Sequence, residues 1–584
     1  VSQGVVFASN DVISIKDLTD TIEGLSASRI AALKSLGVSQ ILATDGNLSL
    51  GLDQINALAT NGITTGVQHE TMSAATGQDV PVGRPLGSGI GQSIVALGDG
   101  SYAVIYRGAP VAGAGSSIYT QHYDASGNPL GAVTQVSGAA LTSESQSTAA
   151  ALADGGYVVV WSHNGGSSSS AVYAQRFDAE GDAVGGPAQL TTDGPRKYMP
   201  GVTGLSDGGY LVTIYQNAGS DAGLTFQRYD ANGQPVGSRQ ALSPAVDLTI
   251  SISDEGAKIT DTVEMADGRV MIIWGVGGSD ERALAAQIID ASGSKVGDAF
   301  FVNAPTDAAH ETPSVASLSD GRFAVTWISY TLENAIVVQL FDDQGNKVGS
   351  EVTINSSLYT QDPPKITALE NGRYVVTWAW GGQDDPNSAP GQHIGIYAQI
   401  LDSDGTKIGP VSVVNTTVVG DQFDPQVVGL AGGGYVVVWT DYLNTSSASF
   451  EINAQVFSAD GIKIGNELDI NVNEANAQRL QKITALAGGG FAVTWLDASD
   501  GKYYTRTFQN DTEQATVSDT ASAISALTVP GVANLRELDI DAVTISDGGS
   551  VTLSKAVATA LIDISGFRIT GAGGIVVGGT GTVL

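Results

Sequence analysis

The stretch ADGGYVVVWS occupies residues 153–162, and close variants of it recur along the chain. SDGGYLVTIY follows at 206–215, and later copies read ADGRVMIIWG, SDGRFAVTWI, ENGRYVVTWA, AGGGYVVVWT and AGGGFAVTWL, with an earlier GDGSYAVIYR. One glycine marks the turn of each copy, at Gly100, Gly155, Gly208, Gly268, Gly321, Gly372, Gly433 and Gly489. Eight copies separated by 51 to 61 residues predict a repeat architecture in which each unit packs against its neighbours.

Each repeat has the pattern of four strands. A short first strand such as PKITAL at 364–369 leads through a two-residue Asp-Gly type of turn, a strong hairpin signal, into the second strand. In YVVVW at 157–161 the residues alternate between two faces that are both apolar, so we expect this strand to be buried on both sides. A third strand ends in a second turn, as in YAQILDSDGTKIG at 397–409, and a fourth strand follows, as in VSVVN at 411–415.

These patterns predict a mainly β fold, with an eight-bladed β-propeller of four-stranded blades over residues 76–515. The eighth copy lacks a fourth strand, and DVPVGRPLG at 79–87 resembles a fourth strand without a blade. We therefore predict that this segment closes the ring. Residues 16–66 and 517–571 resemble each other, and this predicts small α/β solenoid-like repeat modules at both ends, over residues 1–70 and 516–584, with Ser26 capping the first helix. The propeller then interrupts a longer solenoid, and the chain is a segment of it or a protomer that stacks end to end.

The charge and composition exclude several classes of protein. There are 60 acidic and 27 basic residues, for a net charge of −33, and nucleic acids and anionic membranes bind basic surfaces instead. Cysteine is absent, so disulfides and cysteine-based metal sites or nucleophiles are excluded. We found no run of about 18 apolar residues. The sequence thus predicts no nucleic-acid partner and no insertion into a membrane.

The combination of DGGYVVVW, IYAQxFDxxGxxxG and VN with LxxLGVxxIxATDGxLSL units resembles repeat-rich secreted proteins of Gram-negative, especially alphaproteobacterial, bacteria. These are relatives of the calcium-binding RTX (hemolysin-type) proteins and include adhesins, surface-layer components and biofilm matrix proteins. The resemblance implies an extracellular or cell-surface location and type I secretion through a C-terminal signal. One departure is the missing calcium nonapeptide: the nearest match, GGTGTVL at 578–584, has Val583 where a carboxylate is needed.

Carboxylates recur in the turn after the third strand, and several turns carry two. Alternating oxygen ligands beside a glycine suit Ca²⁺, although Asp and Gly are also the ordinary residues of tight turns. The sequence therefore leaves two interpretations open, and the candidate calcium ligands are Asp178, Asp182, Asp342, Asp343, Asp402 and Asp404.

A glutamine recurs in the third strand of seven repeats, at Gln121, Gln175, Gln227, Gln287, Gln339, Gln399 and Gln455. Such an amide could line a central channel or, as we favour for a repeated position, hydrogen-bond to nearby backbone. Recognition is expected instead in the loops at one end of the ring, whose aromatic and polar residues suit sugars. The candidate ligand-binding residues are Trp380, Asp384, Asp385, His393, Tyr442 and Asn444.

Catalysis has little support in the sequence, because the five histidines are scattered and no nucleophile or phosphate-binding motif occurs. We therefore expect a non-enzymatic extracellular protein whose propeller loops bind cell-surface glycans, matrix polymers or proteins in adhesion. The alternative is a surface-layer or filament scaffold built from copies of itself by stacking of the terminal repeats. A third interpretation is a polysaccharide-degrading propeller, since a pair of carboxylates is enough for that reaction.

Overall fold

The fold is described from a computed structural model. It describes residues 13–17, 25–35, 38–43, 49–61, 64–67, 72–74, 79–83, 92–108, 117–137, 144–164, 170–191, 198–216, 223–242, 260–276, 283–303, 310–318, 320–329, 335–355, 362–383, 393–418, 420–431, 433–442, 450–472, 478–498, 500–510, 516–537, 542–547, 550–562, 568–570, 575–578 and 582–583. Two compact units are present. One combines residues 1–71 with 510–584, and the other is formed by residues 72–509.

The larger unit is an eight-bladed β-propeller of antiparallel sheets. The first strand of each blade contacts the first strands of both neighbouring blades, and the first blade contacts the eighth, so the ring is closed. Blades one to four consist of Ser93–Ala96, Tyr102–Gly108, Ser117–Tyr123 and Pro129–Gln135; Glu144–Ala151, Tyr157–Asn164, Ser170–Phe177 and Ala183–Gln189; Tyr198–Gly204, Tyr210–Gln216, Gly223–Tyr229 and Pro235–Ala241; and Thr260–Glu264, Val270–Val276, Ala283–Ile289 and Lys295–Phe301.

The remaining blades repeat this order. Blades five to seven consist of His310–Ser317, Phe323–Ser329, Ala335–Phe341 and Lys347–Asn355; Lys365–Ala368, Tyr374–Gln383, His393–Leu401 and Lys407–Val413; and Asp421–Gly429, Tyr435–Tyr442, Phe450–Phe457 and Lys463–Asp469. Blade eight has Gln478–Ala485, Phe491–Asp497 and Lys502–Asn510. Its last strand pairs with Val80–Gly83, and Met72–Ala74 joins the same sheet. The eighth sheet therefore contains strands from both ends of the propeller sequence, which locks the ring.

The second strand of each blade supplies two cores at once. In blade six, Tyr374, Val376 and Trp378 pack toward blade five, while Val375 and Ala379 pack toward blade seven. All five side chains are fully buried. This is the burial on both faces that the doubly apolar sequence predicts, because a strand alternates its side chains between the two sides of a sheet.

The turn after the first strand differs from the predicted two-residue type. In blade two the Gly155 N–H donates to Leu152 O over 3.1 Å, and Leu152 N–H donates to Gly156 O over 2.8 Å. The loop therefore has three residues, with Gly155 at φ 88°. A type I turn closed by a left-handed residue has this geometry, and glycine adopts that conformation without steric cost. The DGG sequence thus encodes a three-residue turn.

The smaller unit draws its core from both ends of the chain. Ile30 and Leu50 pack in the same cluster as Val532, Leu535 and Val543. Its parallel sheets contain Ile13–Asp17, Val38–Ala43 and Thr64–Val67, and Ser49–Leu50, Thr516–Asp519, Ala542–Ile545 and Arg568–Thr570. A third sheet has Val551–Ser554, Ile575–Gly578 and Thr582–Val583, and the helices are Ala27–Ser35, Leu52–Thr60, Ala521–Ser525, Val529–Glu537 and Lys555–Ile562.

Hydrogen bonds to side chains cap the first turns of two helices in this unit. The Arg29 N–H donates to Ser26 Oγ over 3.4 Å at the start of the first helix, where the sequence predicts the cap. The Leu52 N–H donates to Asp519 Oδ2 over 3.1 Å, so a carboxylate from the C-terminal flank caps a helix of the N-terminal flank. None of the described helices is long and apolar enough to cross a membrane.

Candidate functional site

The glutamine column belongs to the framework of the blades. Gln287 Nε2 donates to Val296 O over 3.1 Å and to Gly297 O over 3.2 Å in the fourth strand of its own blade. The pairing register of the third and fourth strands shifts at this point, and Gly297 has φ 64°. The amide therefore serves carbonyl groups that the bulge removes from the regular ladder. Equivalent bonds are made by Gln121, Gln175, Gln227, Gln339, Gln399 and Gln455.

The VN sequence at the end of the fourth strand is a second framework element. Asn303, Asn415 and Asn471 each accept, through Oδ1, a hydrogen bond from a backbone N–H in the first half of the third strand, at 2.7 to 2.9 Å. Ser137 and Thr191 use their hydroxyl oxygens in the same way in blades one and two. These side chains anchor the third strand in five blades. This structural role accounts for their recurrence, so no ligand is needed to explain it.

Ionisable side chains occur at a position where the blades differ, two residues after the recurrent aromatic residue of the second strand. This position lies at the loop-bearing end of the propeller, where the second strand ends and the first begins. It is occupied by a glycine in blade one and by Val276 in blade four, but by His163, Asp441 and Asp497 in blades two, seven and eight. Across the sheet from these three lie Glu144, Gln422 and Gln478.

Blade seven holds the most extensive polar arrangement, which we call the blade-seven cluster: Asn415, Asp421, Gln422, Asp441, Glu451, Asn453 and Glu467. Asp441 is 1% exposed. Its Oδ1 accepts a hydrogen bond from Gln422 Nε2 at 3.0 Å, and Gln422 Oε1 in turn accepts from Asn415 Nδ2 at 3.2 Å. Both amide orientations are therefore set by partners, and Asp441 is the end of a hydrogen-bonded chain.

A second carboxylate lies beside Asp441. Asn453 Nδ2 donates to Asp441 Oδ2 at 3.4 Å and to Glu467 Oε1 at 3.3 Å, so the two carboxyl groups share one nitrogen. The other oxygen of Glu467 accepts from the Thr416 N–H at 2.6 Å and from the Thr416 hydroxyl. Two oxygens that contact one nitrogen lie less than two hydrogen-bond lengths apart, so the carboxyl groups of Asp441 and Glu467 are neighbours.

The surroundings of Asp441 favour its protonated form. Burial, with the nearby carboxylates of Glu467, Glu451 and Asp421 as further causes, raises the pKa of Asp441 to about 7, while the Gln422 hydrogen bond acts in the opposite direction. A carboxyl group with a pKa near neutrality can donate a proton at physiological pH, which an ordinary aspartate cannot. The cluster reaches the surface at Asp421, whose side chain is 30% exposed.

The backbone next to this cluster is strained. In the described part of the chain, the non-glycine residues with positive φ are Gln146 at 38°, Asp424 at 52° and Leu480 at 61°. Each lies at a register shift in the first strand of its blade. These are blades two, seven and eight, the same blades that carry the polar pairs. Strain of this kind is costly and tends to occur at functional sites.

Blade two carries the second buried acid. Glu144 is 0% exposed, and His163 Nδ1 lies 3.8 Å from its Oε1. Within the described residues neither carboxyl oxygen accepts a hydrogen bond of normal geometry. Burial raises the pKa of Glu144 to about 7. This pair has one carboxyl group only, so it lacks the partner that Asp441 has in Glu467.

The predicted ligand-binding residues are partly brought together. His393 Nδ1 lies 3.1 Å from Asp421 Oδ1 at the edge of the blade-seven cluster, and Tyr442 directly follows Asp441. Trp380 lies in blade six, where its ring packs against the Tyr397 ring with 5.0 Å between the centroids. Asp384, Asp385 and Asn444 lie outside the described residues. The prediction of these six as a ligand site stays a prediction.

The candidate calcium ligands mainly serve their own turns. Asp178 Oδ1 accepts from Asp182 N–H at 2.8 Å, and the corresponding oxygens of Asp342, Asp402 and Asp404 accept backbone N–H groups of their turns. Asp343 pairs with Arg269 at 3.1 Å. No three His, Asp or Glu side chains of the described ranges are grouped to hold a metal ion. Calcium binding stays a prediction.

The sequence search missed Asp441, Glu467, Gln422 and Glu144 as functional candidates. The available signal was the departure from the repeat: an ionisable residue two positions after the aromatic residue. The search instead looked for motifs built on histidine, serine or glycine. Glu467 could not be found in this way, because its neighbour Asn453 lies on a different strand and the shared contact is visible only in the folded blade.

Several solved structures are similar to part of this chain at low sequence identity. The GH93 α-L-arabinofuranosidase of Fusarium graminearum in complex with arabinobiose is 14% identical, over 54% of this chain and 93% of its own, with a TM-score of 0.34. The polysaccharide lyase Uly1 is 9% identical, over 61% and 88%, with a TM-score of 0.38. The BP39L lectin of Burkholderia pseudomallei is 11% identical, over 65% and 98%, with a TM-score of 0.40. No protein-family model and no curated protein matches the chain.

These comparisons contradict the expectation of a non-enzymatic adhesion protein or scaffold, because glycoside hydrolases and a polysaccharide lyase are among the similar structures. The physical reason is that acid–base cleavage of glycans needs only two carboxyl groups, and nothing in the sequence selects two among the 60 acidic residues. At such low identity the likeness extends to the fold alone, so a reaction has to be argued from the side chains of this chain.

Proposed function

We propose that the chain is a glycan-degrading enzyme that hydrolyses glycosidic bonds at the blade-seven cluster. The single observation that carries this proposal is the pair of Asp441 and Glu467, two carboxyl groups that contact the same Asn453 nitrogen. One is buried with a raised pKa and the other is held by Thr416. Glycoside hydrolysis requires two carboxyl groups, one that donates a proton and one that assists attack on the sugar.

In the proposed reaction Asp441 is the general acid. Its proton passes to the glycosidic oxygen as the bond from that oxygen to the anomeric carbon breaks, which gives the leaving sugar a neutral hydroxyl group. The carboxylate of Glu467 takes a proton from the attacking water, whose oxygen bonds to the anomeric carbon and becomes the hydroxyl group of the other product. Gln422 orients the acid through Oδ1, and Asn453 keeps the two carboxyl groups in register.

Location and partners follow as further parts of the proposal. An extracellular or cell-surface enzyme would meet cell-surface glycans or matrix polymers as substrates, and this agrees with the resemblance to secreted repeat proteins. We also propose that the smaller unit is a solenoid-like module interrupted by the propeller. The parallel pairing of Ser49 with Thr516 and of Leu50 with Val517, across the insertion, supports this.

The proposal is tested with a panel of linear arabinan, xylan, mixed-linkage β-glucan and polygalacturonate, with release of reducing ends as the readout. We expect the wild-type chain to cleave at least one polymer, without the ultraviolet absorbance of an unsaturated product. Asp441→Asn should lower the rate by at least about 100-fold, since it removes the acid.

Asp290→Asn is the matched control, because Asp290 is a carboxylate that accepts N–H groups of its own turn in blade four. It should cleave at the wild-type rate. Binding without cleavage across the panel, or an Asp441→Asn variant as active as the wild type, would overturn the proposed function.

A further inference from the structure

The strained residue Asp424 is held from both sides by neighbouring blades. Its N–H donates to Asp362 Oδ2 at 2.6 Å, from the segment that precedes the first strand of blade six. Its carbonyl accepts from Gln481 Nε2 at 2.7 Å, from the first strand of blade eight. Both peptide groups of the bulge are thus bound by side chains outside blade seven.

Asp424 would not hold this conformation by itself. It has φ 52° and precedes Pro425, and a residue before proline is pushed toward extended conformations. A strained residue persists only where its surroundings over-determine it. The two bonds from Asp362 and Gln481 meet that requirement. The bulge lies between Phe423 and Gln426, directly after Gln422, so its shape sets where Gln422 stands.

Gln481 also contacts the strand that carries the acid. Its Oε1 accepts from Thr440 Oγ1 at 2.8 Å, and Thr440 is the residue before Asp441. Gln481 is 0% exposed, and each end of its amide is used. One side chain from blade eight therefore ties together the two strands of blade seven on which Gln422 and Asp441 face each other.

We infer that Gln481 and Asp362 are positioning residues that hold the Asp424 bulge in place, and so keep Gln422 aimed at Asp441. This inference rests on the proposed role of Asp441. The clamp acts through the backbone of blade seven, and neither residue contacts the carboxyl group of Asp441. Its effect passes through the one hydrogen bond from Gln422 to Asp441 Oδ1.

The test measures the protonation of Asp441 by carbon-13 NMR. The protein is labelled at the aspartate carboxyl carbons, and the Asp441→Asn variant is used to assign the signal. Gln481→Met keeps the side-chain volume and removes both hydrogen bonds. We expect it to raise the pKa of Asp441 by about one unit, because the bond from Gln422, which favours the ionised form, is weakened. The other ionisable groups around Asp441 are Asp421, Glu451, Glu467 and His393, and none of them is altered.

Asp362→Ala removes the other half of the clamp and should shift the pKa of Asp441 in the same direction, which provides a second variant if one fails to fold. Gln339→Met is the control, because Gln339 is equally buried and binds bulge carbonyls in blade five. With a cleaved polymer from the panel, kcat of the clamp variants should fall about tenfold with KM unchanged.

The outcomes separate the two proposals. If Asp441 of the wild type titrates near neutrality and folded Gln481→Met and Asp362→Ala leave its pKa unchanged, the positioning role is overturned while the proposed function stands. If Asp441 of the wild type titrates as an ordinary aspartate, the acid role itself is lost, and the clamp has no acid to position.

Discussion

Blades four and seven are built on the same plan but differ around the end of the second strand. Both have the buried tryptophan in the second strand and the glutamine that donates to carbonyl groups of the fourth-strand bulge. Both also have the asparagine that accepts a hydrogen bond from a backbone N–H of the third strand. Two residues after the tryptophan, blade four has Val276 and blade seven has Asp441. Blade seven surrounds this residue with Gln422, Asn453 and Glu467 and bends its first strand into a strained bulge. Positions that recur thus form the framework, and positions that depart from the repeat hold the proposed catalytic residues.

The largest effect expected from this contrast is on the second carboxylate. Glu467→Gln keeps the side-chain shape but removes the charge that assists attack, so the rate of glycan cleavage should fall about 100- to 10,000-fold. The same change removes a negative charge near Asp441 and should lower the pKa of that residue. The release of reducing ends measures the cleavage rate, and the carbon-13 NMR titration measures the pKa of Asp441. Asp298→Asn changes a fourth-strand carboxylate of blade four and should leave both unchanged. A Glu467→Gln variant of wild-type activity would contradict the assignment.

A smaller effect concerns the buried acid of blade two. The pKa of Glu144 rises from its ordinary 4.5 to about 7, so the folded state binds the proton more tightly than the unfolded state. The contribution of Glu144 to the free energy of unfolding is therefore largest below pH 4.5. It falls as the pH rises toward 7 and is lost above that pH. Each pKa unit corresponds to about 1.4 kcal/mol, so the full loss is about 3 kcal/mol.

Glu144→Gln removes this titration. The variant should gain Tm relative to the wild type at pH 8 and show a smaller gain, or none, at pH 4. Thermal unfolding at the two pH values measures the difference. An equal change in Tm at both values would show that the pKa of Glu144 is the same in the folded and unfolded protein, and would remove the parallel with Asp441.

The smallest expected effect falls on the framework. Gln287→Leu leaves the carbonyl groups of Val296 and Gly297 without their side-chain donor, and a lost buried hydrogen bond costs about 1–2 kcal/mol. We expect a lower Tm and an unchanged rate of glycan cleavage. A loss of activity with unchanged stability would place a framework position in the chemistry and break the distinction between the two kinds of position.

The framework was largely predictable from the sequence, because it is repeated. The second-strand pattern recurs in eight copies, the glutamine in seven and the second-strand tryptophan in six. Periodic apolar residues of this kind indicate burial directly. The turn after the first strand was predicted one residue too short. The DGG sequence is compatible with both loop lengths, and the choice depends on the hydrogen bonds between Leu152, Gly155 and Gly156.

The candidate site was less predictable, since it occurs once and is assembled across strands. Asp441 stands out only when the eight copies are aligned and the exception is examined. Glu467 and Gln481 carry no signal of their own, because each acquires its role from a contact with a distant segment. The predicted loop residues His393 and Tyr442 lie beside the cluster, but the carboxyl pair itself was reachable only through the fold.

The most direct measurement is the carbon-13 NMR titration of the aspartate carboxyl groups in the wild-type chain and in Asp441→Asn. The account predicts one aspartate that titrates near pH 7 and whose signal is missing from the variant. If every aspartate of the wild type titrates below about pH 5, as ordinary aspartates do, Asp441 is not a proton donor at neutral pH. The proposed active site of blade seven would then be contradicted.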